Sequence, residues 1–253
     1  DDKAGVQLVD LLKENGISDK GLVFSKDRQT TVKTRIIGNN QHLLRIDSEQ
    51  TDDVSEEEAI ALIQRVEEII KEFNVDAIIF EDYNKGVLTE KVISEIVTIA
   101  NANNVVTTVD PKHKNFFAYK NVTLFKPNLK ELKEGVNKIF SFQETEKFED
   151  AVATLEQKLN NKISFITLSE NGVFIKDNTK QHHIPAHIRN IADVSGAGDT
   201  VISVATLCLT AGMSIKEIAE IANLAGGLVC EKSGVVSIDK ELLIKEVELI
   251  EIK

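Results

Sequence analysis

The hydrophobic positions of the chain follow two alternating spacings. Short runs of consecutive apolar or β-branched residues are typical of buried strands, and longer segments repeat apolar residues every three or four positions, as amphipathic helices do. The strand-like runs lie at 76–80, 105–109, 122–125 and 163–168. The helical segments lie at 55–73, 89–103, 144–160, 198–211, 214–232 and 240–248, with another from Leu129. This alternation predicts βαβ units and an α/β fold with a mostly parallel sheet.

The first part of the chain breaks this alternation. Residues 1–15 form an amphipathic pattern that Gly16 ends, and 21–24 are a short apolar run that predicts a strand. Two β-branched runs, 30–37 and 42–46, are joined by Gly38-Asn39-Asn40 and predict a hairpin. We interpret this hairpin as a ribbon with polar residues on both sides, suited to a lid or a partner surface. A solvated edge hairpin is the alternative. A second hairpin is predicted at 173–176 and 181–184.

Composition and charge exclude several classes of function. The 253 residues carry a net charge of −11 without a basic block, which argues against nucleic acid as a partner. The two cysteines, Cys208 and Cys230, lie in apolar helical patterns and favour a reducing compartment. Because no apolar run reaches the ~18 residues of a membrane span and no signal peptide is visible, we expect a cytoplasmic protein that is not bound to membranes.

The polar residues of the pattern collect where strands end. In parallel sheets, ligands bind beyond the carboxyl ends of the strands. The residues at these ends are Asp82, Lys85, Asp110, Lys112, Asn128, Glu131, Ser169 and Gly172. Lys85 and Lys112 close different strands, and if those strands are neighbours both ammonium groups reach one anion, such as a substrate phosphate. Otherwise they are solvated loop lysines.

Three further features each allow two interpretations. Asn128 and Glu131 share one face at a helix start and either hold the water shell of Mg²⁺ or cap the helix. Ser169 and Gly172 either border a nucleotide or form a tight turn. Asn223 lies on a helix face of small and apolar residues, where its side chain either hydrogen-bonds the edge of an adenine ring or satisfies a backbone group.

The stretch 193–200, Asp-Val-Ser-Gly-Ala-Gly-Asp-Thr, organises the rest of the chain. Small residues at a helix start leave backbone N–H groups open to an anion, which the helix dipole also favours. Asp199 places a carboxylate beside this anion site, where it could take a proton from a hydroxyl that attacks a phosphoryl group. The alternative is a packing junction in which Asp199 caps the helix. The spacing matches neither a Walker A loop nor a dinucleotide fingerprint.

The order of these features resembles a known family. The Gly196-Ala197-Gly198-Asp199 signature, the Pro-Asn-x-x-Glu element ending at Glu131 and the Ala-Asn-x-Ala-Gly helix around Asn223 are similar to the ribokinase (PfkB) family of carbohydrate kinases. The segments 33–35, 40–41, 44–47, 82–86, 109–112 and 126–129 resemble the family's heptose 7-phosphate kinases, the kinase halves of ADP-heptose synthases. Val194 departs from the Thr or Ser that is commoner in the signature.

The resemblance implies a ribokinase-like α/β fold and a set of roles. Asp199 would be the base, and the amides of Gly196, Ala197 and Gly198 would hold the transferring phosphoryl group. The cofactors would be ATP and Mg²⁺, with K⁺ as a further candidate at Asp193. Asn128 and Glu131 would face the Mg²⁺–phosphate end of ATP, through water in the case of the metal. Ser169, Gly172 and Asn223 would line the nucleotide pocket.

The resemblance also implies a substrate side. Arg35, Asp82, Lys85 and Lys112 would bind a phosphorylated sugar, most closely D-glycero-D-manno-heptose 7-phosphate, which is phosphorylated to the 1,7-bisphosphate for lipopolysaccharide core synthesis. The hairpin at about 30–47 would be a small β lid that pairs with the lid of a second subunit in a homodimer. Other family sugar kinases, acting on ribose, fructose or a hexose phosphate, remain alternatives.

The start of the chain departs from the family. Members begin with a strand that bears a substrate-binding Asp, followed by a Gly-Gly-x-x-x-Asn segment, and neither is found here. The only methionine is Met213, and the chain begins at Asp1 inside a helical pattern. We therefore expect one carbohydrate kinase domain over residues 1–253 that is incomplete at its N-terminus. A nucleotide-binding or dimerisation module without catalysis is the alternative from a different class.

Overall fold

The computed structural model of the chain describes residues 1–38, 41–187 and 189–251. These residues divide into two compact units. The smaller unit comprises Asp1–Asn74 and Asn84–Ile96, and the larger unit comprises Val75–Tyr83 and Val97–Lys253. The helix α3 (Glu90–Ala102) begins in the smaller unit and ends in the larger one.

The smaller unit contains two helices and a two-stranded ribbon besides the start of α3. Its elements are α1 (Lys3–Glu14), β1 (Val32–Gly38), β2 (Gln41–Ser48) and α2 (Glu56–Glu72). The sequence around Ser55 forms a capping box, in which the Ser55 hydroxyl accepts from the Glu58 amide at 3.2 Å and the Glu58 carboxylate accepts from the Ser55 amide at 2.8 Å. This pair satisfies two amides that the helix leaves without acceptors and sets the start of α2.

The ribbon formed by β1 and β2 has two chemically different faces. The antiparallel register pairs Lys33 with Asp47 and Arg35 with Arg45, so these charged residues share one face. The alternate pairs include Thr34 with Ile46 and Ile36 with Leu44, and the large apolar side chains on this second face are exposed. The expectation of polar residues on both sides is therefore wrong for one face. Asn39 and Asn40, the predicted turn, lie outside the described residues.

The larger unit is built on a six-stranded sheet in the order β3-β4-β5-β6-β7-β8. Its strands are β3 (Ala77–Glu81), β4 (Val106–Asp110), β5 (Leu124–Phe125), β6 (Ile163–Thr167), β7 (Val173–Lys176) and β8 (Gln181–Ile184). The pairings from β3 to β6 are parallel, and those of β7 and β8 are antiparallel. The mostly parallel sheet predicted from the sequence is confirmed.

Helices cover both faces of this sheet. The helices of the larger unit are α4 (Leu129–Val136), α5 (Thr145–Leu159), α6 (Ala197–Thr210), α7 (Ile215–Cys230) and α8 (Lys240–Glu251). Side chains alternate along β7, so Val173 and Ile175 join the core formed with α6 and α7. Phe174 points the other way, and its ring meets that of Phe148 on α5 with a centroid separation of 5.0 Å.

One predicted strand is absent from the described residues. Residues 21–24 form no ladder, and the Phe24 side chain is exposed. A short apolar run without a neighbouring strand has no acceptors for its amides, so its β propensity alone does not produce a strand. None of the helices within 1–38, 41–187 and 189–251 has the length and apolar character needed to cross a membrane.

Candidate active site

The stretch 193–200 forms the loop that begins α6. Gly196 adopts a left-handed conformation, with φ of 84°, and occupies the N-cap position without a side-chain cap. Asp199 is therefore the third residue of the helix, and the interpretation of Asp199 as a cap is wrong. The Ala197 amide donates to the Val194 carbonyl at 3.3 Å, whereas the amides of Gly198 and Asp199 have no acceptor within the helix.

Three carboxylates lie together beside this helix start. Glu81 and Asp110 are the last residues of β3 and β4 and are direct neighbours in the parallel register. The helix α6 packs over these strands, where the Thr206 and Thr108 hydroxyls meet at 2.8 Å, and brings Asp199 to the same edge. Carboxylate oxygens of Glu81, Asp110 and Asp199 all lie within 4.8 Å of one another.

Glu81 is the titratable member of this cluster. Burial, followed by the negative charges of Asp110 and Asp199, raises the pKa of Glu81 from 4.5 to about 7. No role was predicted for Glu81 from the sequence. Its position at the carboxyl end of a buried strand, directly before Asp82, was the signal that could have identified it.

A buried lysine lies under the helix start. Lys126 follows β5, is only 2% exposed, and places its ammonium 3.0 Å from the Asp110 carboxylate. A Cβ atom added at Gly198 would lie 3.4 Å from the Asp110 carboxylate and 3.8 Å from the Lys126 ammonium, so the glycine lets the backbone approach this ion pair. Lys126 therefore supplies positive charge at the site, a role that our sequence analysis did not assign.

The segment after β3 contributes two residues with different surroundings. The Tyr83 hydroxyl donates to Asp199 Oδ2 at 3.1 Å. Asp82, predicted to bind substrate, is only 4% exposed and accepts a hydrogen bond from the Tyr119 hydroxyl at 2.8 Å. The Asp82 amide also donates to the Asp110 carbonyl. Asp82 therefore has little surface to offer a sugar.

Lys112, Asn128 and Glu131 form a second polar cluster. Asn128 and Glu131 cap α4 reciprocally, with side chain to amide distances of 2.9 and 2.8 Å, so the capping interpretation describes the pair in this structure. The Lys112 ammonium lies 2.8 Å from the other Glu131 oxygen. Burial works against the charged form of Lys112, but Glu131 and Asp110 outweigh it and raise the lysine's pKa. Lys112 therefore lies next to Glu131, one of the two residues predicted to face the Mg²⁺–phosphate end of ATP.

The predicted nucleotide residues occur at two places in the larger unit. Ser169 begins a single 3₁₀ turn, and the Gly172 amide donates to the Ser169 carbonyl at 3.0 Å. Gly172 has φ of 82°, and a Cβ atom there would lie 2.0 Å from the Ile184 carbonyl, so only glycine fits. The side-chain amide of Asn223 donates to the backbone carbonyl of Pro185 at 2.9 Å and thereby satisfies a backbone group.

Asp193, the predicted K⁺ residue, connects two loops. Its Oδ1 accepts from the Ser195 amide at 2.9 Å, and its Oδ2 accepts from the Gly234 amide at 3.1 Å. These bonds hold the segment before α6 against the segment after α7, so Asp193 fixes the loop that carries Gly196.

The remaining predicted residues belong to the smaller unit. Arg35 lies exposed on the charged face of the ribbon. Lys85 forms an ion pair with Glu49, which also lies 3.1 Å from the Lys33 ammonium. Lys85 and Lys112 are thus in different units, and each already has a carboxylate partner.

The larger unit also contains a cavity of about 500 Å³, which none of the predicted site residues lines although Asn171, between Ser169 and Gly172, does. It is lined by residues of α5, β7 and β8 and the loops beside them, including Phe142, Phe148, Phe174 and His183. The His183 ring already bonds the Asn171 carbonyl at 2.7 Å. Because none of the predicted site residues lines this cavity, the carboxylate cluster remains the candidate active site.

Comparisons with known proteins identify the family of the chain. Residues 1–241 match the family described as pfkB family carbohydrate kinase. The bifunctional protein HldE of Aliarcobacter butzleri is 38% identical over 234 residues, which are 92% of this chain and 48% of that protein. HldE of Helicobacter pylori strain J99 is 35% identical over 235 residues, covering 92% of this chain and 50% of that protein. The chain thus spans about half the length of the curated relatives it matches.

Solved structures show the same fold. Phosphofructokinase-2 from Escherichia coli in complex with potassium has a TM-score of 0.82 at 20% identity, over 99% of this chain and 80% of that chain. Arabidopsis thaliana ribokinase complexed with ribose and ATP has a TM-score of 0.73 at 15% identity, over 97% of this chain and 78% of that chain. The expected ribokinase-like fold is confirmed. Because the family match spans residues 1–241 and the fold agrees, the chain is a carbohydrate kinase domain of the pfkB family.

Proposed function

We propose that this chain transfers the terminal phosphoryl group of ATP to a hydroxyl of a phosphorylated sugar, with Asp199 as the base. The observation that carries the proposal is the position of Asp199 as the third residue of α6, beside amides without helical acceptors and above the buried Lys126. A base next to an electropositive helix start is the combination that phosphoryl transfer to an alcohol requires.

Different groups of the chain remove the proton and stabilise the negative charge. Asp199 removes the proton from the sugar hydroxyl as the hydroxyl oxygen attacks the terminal phosphorus atom of ATP. The bond from this phosphorus to the bridging oxygen breaks, and ADP leaves with that oxygen. The amides at the start of α6, where Gly198 lets the backbone approach Lys126, stabilise the negative charge on the transferring group. Positioning and charge stabilisation supply most of the rate enhancement in such transfers.

A divalent cation fits the oxygen donors near α4. Asn128 and Glu131 present amide and carboxylate oxygens, the ligand type that Mg²⁺ prefers. These oxygens already accept from each other's backbone amides, and Glu131 also pairs with Lys112, so the two residues would hold the metal through its water shell. When bound, Mg²⁺ would neutralise charge on the ATP phosphates. Asp193 is the corresponding candidate for K⁺. Ser169, Gly172 and Asn223 are the proposed nucleotide residues.

The proposed substrate is D-glycero-D-manno-heptose 7-phosphate, converted to the 1,7-bisphosphate in cytoplasmic ADP-heptose synthesis. Support comes from the segments 82–86 and 109–112, which resemble heptose 7-phosphate kinases, and from the HldE relatives. Arg35, Lys85 and Lys112 are the candidates for the 7-phosphate. Ribose, fructose or a hexose phosphate is the alternative within the same family.

We also propose that the ribbon of β1 and β2 pairs two copies of the chain. Its exposed apolar face, which includes Ile36, Leu44 and Ile46, supports this proposal because such faces are usually covered in the working assembly.

The base assignment is tested with Asp199→Asn. The substitution keeps the size of the side chain and removes the proton acceptor, so kcat should fall by roughly 10²–10⁴-fold with little change in ATP affinity. The matched control is Asp150→Asn, which neutralises an exposed carboxylate on α5 and should keep wild-type turnover. Near-normal turnover in Asp199→Asn would remove Asp199 from the base role. Binding of ATP without transfer by the wild type would instead favour a nucleotide-binding module.

The substrate assignment is tested with Lys85→Ala and Lys112→Ala. Removing a lysine that holds the sugar phosphate should raise KM for heptose 7-phosphate by about tenfold and leave KM for an unphosphorylated sugar unchanged, and each lysine is tested separately. Lys130→Ala, which removes a solvent-exposed lysine from α4, is the control. A rise in KM for ATP with Lys112→Ala would transfer that lysine to the nucleotide side, where Glu131 lies.

A further inference from the structure

We propose that Tyr83 is a positioning residue for Asp199, holding one carboxylate oxygen so that the other is the one that takes the proton. The inference rests on the proposed role of Asp199 as the base. The Tyr83 hydroxyl donates to Oδ2 of Asp199 at 3.1 Å, which leaves Oδ1 to accept the proton of the sugar hydroxyl.

The Asp199 side chain needs such a partner. It is exposed, and it lies beside the carboxylates of Glu81 and Asp110, where any negative charge on these neighbours repels it. An exposed aspartate on the first turn of a helix samples several rotamers, and only some of them point at a bound hydroxyl. A hydrogen bond from a residue anchored after β3 selects one rotamer before substrate arrives, which lowers the entropy cost of reaching the reactive geometry.

The direction of this hydrogen bond is fixed by the charges around it. Burial, followed by the negative charge of Asp199, raises the pKa of Tyr83 well above its ordinary value, and Glu81 and Asp110 act in the same direction. The cations nearest the cluster, Lys126 and Lys112, pair with Asp110 and Glu131. The phenol therefore stays protonated through the neutral pH range and acts as a donor to the carboxylate.

Packing does not explain a tyrosine at this position. Tyr83 is 51% exposed, so its ring contributes little to the core. The other tyrosine, Tyr119, is fully buried and donates to Asp82. The two tyrosines thus donate to different carboxylates, Tyr119 to a buried one that follows β3 and Tyr83 to an exposed one on α6. Only Tyr83 reaches the carboxylate at the start of α6.

The hydrogen bond can be tested without any kinase assay. The sequence contains two tyrosines, so protein labelled with ¹³C at the tyrosine ζ carbon gives two signals, which Tyr83→Phe assigns. Asp199→Asn should displace the Tyr83 signal, because the charged acceptor of the phenol's hydrogen bond becomes a neutral amide. The Tyr119 signal should stay in place and report an intact fold. A Tyr83 signal that is indifferent to Asp199→Asn would overturn the proposal.

The positioning role is tested by the kinetics of Tyr83→Phe with ATP and heptose 7-phosphate. We expect kcat to fall about tenfold, as for loss of one hydrogen bond to a charged group, with KM for ATP within about twofold of wild type. Tyr119→Phe, the same chemical change at Asp82, should not reproduce this split between kcat and KM.

The outcomes separate this inference from the proposed function. Wild-type kcat in Tyr83→Phe, with Asp199→Asn inactive, would refute the role of Tyr83 alone. Equal losses of kcat in both tyrosine variants would also refute it, because they indicate a general loss of packing. Turnover that survives in Asp199→Asn would instead refute the base assignment, whereas the NMR signal of Tyr83 would still report the hydrogen bond.

Discussion

Glu81 sets the local charge balance at the carboxyl end of β3. Its pKa of about 7 is raised by burial and by Asp110 and Asp199, so a large fraction of the side chain is protonated near neutral pH. The neutral form removes one of three adjacent negative charges. When Glu81 is neutral, Asp199 lies beside the electropositive start of α6 with one negatively charged neighbour, Asp110, instead of two.

Glu81→Gln should change the pH dependence of stability. The folded-state pKa of about 7 lies above the value of 4.5 for a free glutamate, so folding takes up a proton at this residue between those values. The stabilisation is complete below pH 4.5 and is lost as the pH rises through about 7. Glutamine does not ionise, so the variant should gain stability relative to wild type from about pH 5 to about pH 8.

The measurement is the free energy of unfolding by urea at both pH values. Glu248→Gln changes an exposed side chain on α8 in the same way and serves as the control. A difference between Glu81→Gln and wild type that does not vary with pH would contradict the raised pKa.

The sequence predicted Asp199 but not Glu81 or Lys126, and the reason is physical. Asp199 belongs to a local motif in which glycines, helix start and carboxylate follow one another within a few residues. Glu81 matters because the parallel register places it beside Asp110. Lys126 matters because it is buried against that same aspartate. Register and burial depend on contacts distant in sequence, which spacing does not encode.

At the scale of elements, the ribbon of β1 and β2 carries unburied apolar side chains on one face. Ile36, Leu44 and Ile46 lie on one face in the antiparallel register and are all exposed. A two-stranded ribbon is marginally stable by itself, so covering this face would stabilise both the ribbon and the assembly.

Leu44→Glu should therefore weaken self-association. A carboxylate on the apolar face is costly to bury, so the dimer Kd should rise by at least about tenfold. Ile139→Glu is the matched control, since Ile139 is 99% exposed and lies outside the ribbon. The measurement is the molar mass by analytical ultracentrifugation over a range of concentrations. A wild-type chain that stays monomeric throughout, or a Leu44→Glu variant that associates normally, would argue against pairing through this face.

Elements with local start signals were predicted well. The helix α2 begins after Ser55, where a capping box was expected, because the signal and the structure involve the same four residues. The strand predicted at 21–24 fails because a strand needs a neighbour, and Phe24 stays exposed without one. For β5, only Leu124 and Phe125 join the ladder, although the apolar run is longer.

At the scale of the whole molecule, the net charge of the chain does not predict the charge needed at the binding site. The chain carries a net charge of −11, yet both proposed substrates are anions. Binding must therefore depend on local positive charge, which the larger unit supplies through Lys112, Lys126 and the start of α6. The net charge of a protein affects its solubility and its long-range attraction of ions, but it does not exclude a local phosphate-binding site.

The distribution of residues between the units leads to a further prediction. All the proposed nucleotide residues, including Asn128, Gly172 and Asn223, belong to the larger unit. ATP with Mg²⁺ should therefore slow amide hydrogen exchange in the segments 128–131, 169–172 and 193–200, because a ligand that binds the native state suppresses local opening where it binds. Exchange in the ribbon of β1 and β2 should stay unchanged until the sugar phosphate is added.

Hydrogen–deuterium exchange measured by mass spectrometry resolves these segments. The Asp199→Asn variant should show the same protection by ATP and Mg²⁺, since the base takes part in the transfer and not in nucleotide binding, and this separates binding from chemistry in one experiment. Protection that appears only in the smaller unit would contradict the nucleotide assignment. Protection in the larger unit without any phosphoryl transfer to heptose 7-phosphate would keep the nucleotide site and reject the kinase substrate.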